Sequence, residues 1–265
     1  FADHPYGSSG DGTIETVSAL NRDDILAAHA GALARDRIYV AVAGDMTAAE
    51  LGPLLDRLLG DLPATGAPQA ARADLTLPPG VTVVPFPTPQ SSVLFGHVGI
   101  DREDPDFFAG FILNEAMGGG RFTARLMSEI REKRGLTYGI GSYLVGFDHA
   151  ELYLGQFSAS NDKVAEAIEV LRAEWSRLAS DGLTEEELAA TKTYLTGSYP
   201  LRFNGNGPIA NILVDMQMEG MPIDYAVTRN AQIEAVTLED AARVAKRIFL
   251  PEALQFVVVG EPTGL

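Results

Sequence analysis

The sequence predicts an α+β fold, with a mixed or antiparallel sheet layered with helices. Strand-like segments gather early and helix-like segments late, unlike the strict alternation of a doubly wound parallel sheet. Of 265 residues, 46% are hydrophobic and 21% charged, enough apolar material for a real core and too much for a disordered chain. A stretch near the start also recurs near the end, so two related units are expected rather than one.

In chain order, the first expected element is a helix from Arg22 to about Ala34, followed by a strand Ile38–Ala43 that ends in Gly44-Asp45. A helix from Thr47 to about Leu59 follows, with Glu50 three places after Thr47 as a capping box. Seven of the 15 prolines fall between Pro63 and Pro89, and the stretch 63–80 has neither helical nor strand period, which reads as a linker. Short strands are expected near Val81–Val84 and Ser91–Gly96, then a helix Asp106–Met117, the run Gly118-Gly119-Gly120, and a helix from Phe122 to about Lys133 stopped by Gly135. Strands near Thr137–Ser142 and Glu151–Ser158 fit a hairpin with a long connection. Helices Val164–Ala179, Thr184–Ser198, Ile209–Glu219 and Thr237–Phe249 precede a last strand, Leu254–Val259.

Composition removes several functions. There is no cysteine, hence no disulfide scaffold, thiolate zinc site, iron–sulfur cluster or cysteine nucleophile. Twenty Lys and Arg against 36 Asp and Glu give a formal charge of -16, which disfavours nucleic acid and anionic lipid as partners. The longest uncharged stretch, Leu75 to Ile100, carries Pro78, Pro79, Pro85, Pro87 and Pro89, so no membrane-spanning helix is expected there. A chain that opens on Phe1 without a basic-then-apolar leader is expected to be a processed or truncated product. The expectation is a soluble protein, its compartment left open between bacterial cytoplasm and periplasm.

A shift of 216 places lays Leu20–Ile25 on Val236–Ala241 and Ile38–Asp45 on Leu254–Glu261 without a gap. On this repeat logic, residues 1–62 are the C-terminal part of a first domain, 63–80 a linker and 81–265 a complete second domain. Roughly 140 residues of the first copy would then lie upstream of Phe1. The alternative is chance likeness between helix–strand units of similar length.

The strongest local signal runs from Gly118 to Gly141: a glycine-rich turn, a helix whose last turn presents Arg131, a reversal at Gly135, and a strand presenting Tyr138. A guanidinium can grip a carbonyl or carboxylate with two parallel N–H bonds, and a phenol can donate to an oxygen that gains charge. Arg121, Arg125, Arg131, Lys133 and Arg134 form a local positive island with only Glu129 and Glu132 against them. On composition alone, a solvated helix face with a capping glycine explains the same pattern. Other chemistries have less support. Gly205–Ala210 reads as a helix entry turn rather than a dinucleotide loop, and Glu185–Glu187 as carboxylates answering a helix dipole.

This block resembles the second-half signature of the M16 zinc peptidases of pitrilysin and insulysin type and of the mitochondrial processing peptidase subunits. In those proteins a Gly-Gly turn leads to an Arg-Leu helix, then to an Arg and a Tyr at the spacing of Arg131 and Tyr138. His4-Pro5-Tyr6-Gly7, Gly12-Thr13, Asn21–Ile25, Val42–Asp45 and Gly60–Pro63 resemble the family too, so the likeness covers nearly the whole chain. The resemblance implies a metallohydrolase fold of the processing-peptidase kind, two homologous halves closing like a clamshell on a peptide. Arg131 and Tyr138 would be catalytic in the sense of orienting substrate and stabilising the oxyanion, with Gly118, Gly119 and Gly120 approaching the substrate. The family's zinc ligands are a His-x-x-Glu-His helix and a downstream Glu, but His4, His29, His97 and His149 are all far apart in sequence. No metal ligand is therefore assigned here, and His4 beside Asp3 reads as a turn residue. Zinc is expected in an upstream half or in a partner subunit, and the assembly is expected to be a dimer of homologous domains. Either one polypeptide carries both halves of the protease, or this is a non-catalytic binding subunit of a zinc-bearing partner.

Overall fold

The computed structural model describes residue 1 and residues 4–265; Asp3 lies outside the described residues. The helices are α1 (Ile14–Ala19), α2 (Arg22–Ala32), α3 (Ala48–Leu59), α4 (Phe107–Gly118), α5 (Val164–Asp181), α6 (Glu185–Ser198), α7 (Asn206–Met218), α8 (Tyr225–Ala235) and α9 (Leu238–Ile248). The strands are β1 (Gly80–Pro85), β2 (Gln90–Val98), β3 (Ile140–Phe147), β4 (Ala150–Ser160) and β5 (Gln255–Gly260). The chain divides into two compact units, residues 1–74 with 198–226, and residues 75–197 with 227–265. Residues 63–79 form neither helix nor strand. Among the described residues no helix is long and apolar enough to cross a membrane.

The second unit holds one five-stranded mixed sheet in the order β1-β5-β2-β4-β3. Only β1 and β5 run parallel; the β2–β5, β2–β4 and β3–β4 pairs are antiparallel. The predicted α+β class is therefore the observed one. Alternation along the strands sorts the two faces. Val93, Phe95, Phe157, Phe256 and Val258 are buried with α4, α5 and α9 in a single core, whereas Ser92, Leu94, Gln156 and Ser158 are exposed on the opposite face. That helix-free face is where the site is built.

Trp175, on α5, centres the core, 4.8 Å from the Phe249 ring and 4.9 Å from the Tyr153 ring. Its Nε1–H donates to His97 Nε2 at 3.2 Å, and His97 Nδ1 donates to the Val98 carbonyl at 2.8 Å. His97, without a partner in the sequence reading, is thus a neutral imidazole held between two fixed groups. Burial pushes it below its ordinary value of 6.5, against the opposing pull of the Val98 carbonyl. The unfolded chain takes up a proton near 6.5 while the native state resists it, so stability is fully present above that pH. It falls as the pH drops through 6.5 toward the depressed native value. Urea midpoints at pH 7.5 and 5.0 are expected to show this loss in the native protein and a smaller one in His97→Gln; an equal loss in both would remove His97 as the cause.

The first unit is mostly helical. Thr13, Asn21 and Thr47 each close a capping box at the start of α1, α2 and α3, as serine-, threonine- and asparagine-type caps do. Yet its large apolar residues stay in the open: Ile14, Ile25, Leu58 and Val42 are all exposed, and Ala34, Tyr199 and Met216 are its only fully buried apolar residues among those described.

Several local features recur at a distance of 216 residues. Asn21 and Thr237 both cap a helix reciprocally with an Asp three residues on. Leu33 and Phe249 close the helices in nearly the same backbone conformation, 3-10 turns follow at Arg35–Arg37 and Pro251–Ala253, and Gly44 and Gly260 have φ of 158° and 154°. One feature differs. The expected strand Ile38–Ala43 forms no ladder, because its counterpart β5 lies between β1 and β2 and the described first unit offers no strand to pair with. Two further expectations are corrected, and one helix was not foreseen. The β3–β4 hairpin turns tightly through Asp148-His149 rather than by a long connection. The helix expected from Phe122 begins only at Arg125, since the glycine run continues as turns. Helix α8 carries too weak an apolar pattern to have been foreseen.

Candidate functional site

A cavity of about 1370 Å³ opens on the helix-free face of the second unit's sheet. Its floor includes Ser92 and Leu94 of β2, Gln156 and Ser158 of β4, and Val257 and Val259 of β5. The segment carrying Arg131 and Tyr138 borders it, and both residues line it.

Arg131 sits in a π-helical turn, Met127–Glu132. The Lys133 N–H donates to the Ser128 carbonyl at 3.0 Å, five residues back, so the turn is wider than an α-turn and rotates the side chains that follow. Such turns occur disproportionately at functional sites, and apolar periodicity cannot reveal them. Buried Met127 and Ile130 hold one side of this turn in the core while Arg131 reaches its edge, its guanidinium 4.7 Å from the centre of the Phe122 ring. After the turn Gly135 adopts φ 60° and reverses the chain. Leu136 and Ile140 are buried on either side of Tyr138, which is 94% exposed. Thr137 pins the same segment, its Oγ1 donating to the Ser158 carbonyl at 2.7 Å. The phenol is thus presented by a loop fixed at both ends, not by a mobile tip.

The positive island separates into paired and unpaired members. Arg121 pairs with Glu115 at 3.1 Å, Arg125 with Glu187 at 2.7 Å, and Lys133 and Arg134 both with Glu129, at 2.6 and 2.8 Å. Hydrogen bonds from Lys133 and then Arg134 hold the Glu129 carboxyl below its ordinary value. Burial opposes ionisation of Glu187, but bonds from Arg125 and Thr184 outweigh it and bring its carboxyl down as well. Arg131 alone of the five has no carboxylate partner among the described residues and also borders the cavity. Arg121 and Arg125 are held in largely buried pairs, whereas Lys133 and Arg134 make the more exposed pairs usual on a helix surface.

The three glycines also differ. Gly118 ends α4 against β3, where a Cβ would stand 2.8 Å from the Ser142 backbone nitrogen and nearer still to its hydroxyl oxygen. A Cβ on Gly119 would meet the Glu115 carboxylate, whereas one on Gly120 would meet nothing within 4 Å. Of the three, Gly120 is the one that lines the cavity. Sequence reasoning missed Lys163, whose Nζ donates to the Gly135 carbonyl at 2.9 Å and which lines the same cavity. No local signal could have found it, since 28 residues separate the pair.

Among the described residues no three His, Cys, Asp or Glu side chains stand close enough to hold a metal ion. His4 caps the turn Pro5–Gly7 by accepting from the Tyr6 N–H at 3.2 Å, and His97 is committed to Trp175 and Val98.

A mixed sheet layered with helices has counterparts among known proteins. The family described as Peptidase M16 inactive domain matches residues 19–195. An uncharacterized zinc protease of Streptomyces coelicolor is 29% identical over 262 residues, 94% of this chain and 55% of that protein. A non-peptidase homolog of Helicobacter pylori is 24% identical over 91% of this chain and 56% of its own length. The crystal structure of a peptidase M16 inactive domain from Pseudomonas fluorescens superposes with a TM-score of 0.90 at 26% identity, over 99% of this chain and 62% of that one. The chain belongs to the family described as Peptidase M16 inactive domain. It spans about half the length of the curated relatives it matches.

Proposed function

We propose that this chain is the substrate-orienting half of an M16-type zinc metallopeptidase, working opposite a homologous zinc-bearing half. The observation that carries the reading is the sorting of charges. Four cations of the 121–134 block are neutralised by carboxylates, while Arg131 is left to a cavity that Tyr138 shares. Arg131 grips a peptide carbonyl or carboxylate with parallel N–H bonds and fixes the chain's register. Tyr138 donates to the carbonyl oxygen as it gains negative charge, a bond strongest where the charge is greatest. Gly120, open on its cavity side, lets the backbone come close. Zinc, held by the other half, would supply an activated water and polarise the carbonyl.

In this reading residues 1–62 are the C-terminal part of the first domain and 81–265 the second in sequence, although residues 198–226 group with 1–74 as one compact unit. The matched capping boxes and turns 216 residues apart, the unladdered Ile38–Ala43 and the exposed apolar residues of the first unit favour it. The half-length match to the relatives agrees. Whether the zinc-bearing half belongs to the same polypeptide or to a separate subunit is a second choice. The likeness to a non-peptidase homolog favours a non-catalytic subunit that binds substrate for its partner.

The test is reconstitution. This chain and a zinc-bearing M16 half are prepared separately, and peptide cleavage and zinc content are measured alone and mixed. Cleavage is expected only in the mixture, with zinc on the companion. Hydrolysis by this chain alone, or none in the mixture, would overturn the assignment.

A further inference from the structure

The chain's charge of -16 would suggest a preference for basic peptides, but the cavity itself is charged the other way. At physiological salt, exposed charges beyond about 8 Å are largely screened, so a bound peptide senses the lining rather than the whole surface. Among the described lining residues the cations are Arg131 and Lys163 and the one carboxylate is the exposed Glu132. Lys163 opens α5 and is half-buried, its ammonium fixed on the Gly135 carbonyl at 2.9 Å. That carbonyl belongs to the bend between Arg131 and Tyr138, so the second cation is tied to the segment that carries the first. One of the three Nζ–H donors is used there, and among the described residues the ion pairs of this unit do not include Lys163. Asp162, its chain neighbour, is held chiefly by Ser160 and more weakly by the charge of Lys163 itself, and it does not line the cavity.

We infer that Lys163 is a specificity-determining residue of this site, and that the peptide it selects carries an acidic side chain beside the segment held by Arg131. The inference rests on the substrate-orienting reading above. The floor argues for a side chain rather than a chain end. Hydroxyl and amide groups of Ser92, Gln156 and Ser158 and the apolar surface of Leu94, Val257 and Val259 continue across three strands, so a peptide lying there extends past the cation. A carboxylate branching from it meets the ammonium while the backbone runs on. A charge-assisted hydrogen bond of this kind discriminates a carboxylate from its amide by about tenfold.

The test uses the chain paired with a zinc-bearing half and kept metal-free, so that labelled peptides bind without cleavage and fluorescence anisotropy reads their affinity. The probes are peptides differing only by Glu or Gln, each with a free or amidated C terminus. The Glu peptide is expected to bind about tenfold tighter whichever terminus it carries, with the ratio shrinking as salt rises. Lys163→Met should bring the ratio to near one and Lys163→Arg should keep it, with melting curves confirming that both variants fold. Equal affinities in the native pair, a ratio that follows the terminus instead of the side chain, or a Lys163→Met loss shared by both peptides would overturn the inference. The last would leave Lys163 as a pin for the Gly135 bend. Failure of every peptide to bind would overturn the substrate-orienting reading itself.

Discussion

Arg131→Ala, in the chain reconstituted with a zinc-bearing half, is expected to lower peptide cleavage ~10²-fold or more, and Tyr138→Phe to do the same, on the scale of a lost oxyanion donor. The thermal transition should hardly move. Arg131 makes no ion pair among the described residues, and its aromatic contact is to Phe122, itself 60% exposed. Tyr138 is 94% exposed, so removing one hydroxyl takes nothing from the core. A large kinetic loss with a small thermal one separates a group that acts on substrate from one that holds the fold. For Tyr138→Phe the loss should appear mainly in kcat, because the phenol's bond strengthens only as charge develops. For Arg131→Ala both KM and kcat should suffer, since the guanidinium also holds the bound peptide. Unaltered turnover in both variants would leave an ordinary surface helix.

How much was legible in the sequence depended on whether the deciding interaction was local. The capping boxes at Thr47/Glu50 and Thr184/Glu187 lie within one helical turn, and both form as expected. The markers of the proposed repeat, caps and a glycine after an apolar run, are equally local. Ile38–Ala43 has the composition of a strand, but a strand exists only through its neighbours, and its counterpart β5 has them on both sides. The π turn was hidden for a related reason: a single widened turn leaves apolar spacing almost unchanged while redirecting Arg131. The same applies to the charges. Five cations within a short block look alike in sequence, and only their carboxylate partners separate them, one as distant as Glu187. His97 and Lys163 took their meaning from Trp175 and Gly135, 78 and 28 residues away.

Arg125→Ala should behave in the opposite way to Arg131→Ala, although the two residues lie six apart in one charged block. The Arg125 side chain is 10% exposed; its Nε and one terminal nitrogen grip both oxygens of Glu187 at 2.7 Å, and that same nitrogen reaches the Gly182 carbonyl at 2.9 Å. Glu187 in turn accepts from the Thr184 N–H at 2.9 Å and so completes the cap of α6. Removing the guanidinium leaves a half-buried carboxylate with half its partners gone and loosens the start of that helix. Breaking a fully buried pair costs ~3–5 kcal/mol, and because Glu187 keeps 32% of its side chain in solvent, the lower end, ~3 kcal/mol, applies here. For a unit of this size that lowers the melting temperature by ~6–12 °C. Arg125→Met combined with Glu187→Leu should recover most of the loss, because the double variant leaves no charge stranded. Peptide affinity of the folded Arg125→Ala protein, measured well below its transition, should match the native value. A loss of affinity with an unchanged melting curve would place Arg125 in the site and dissolve the distinction between paired and unpaired cations from which Arg131 takes its role.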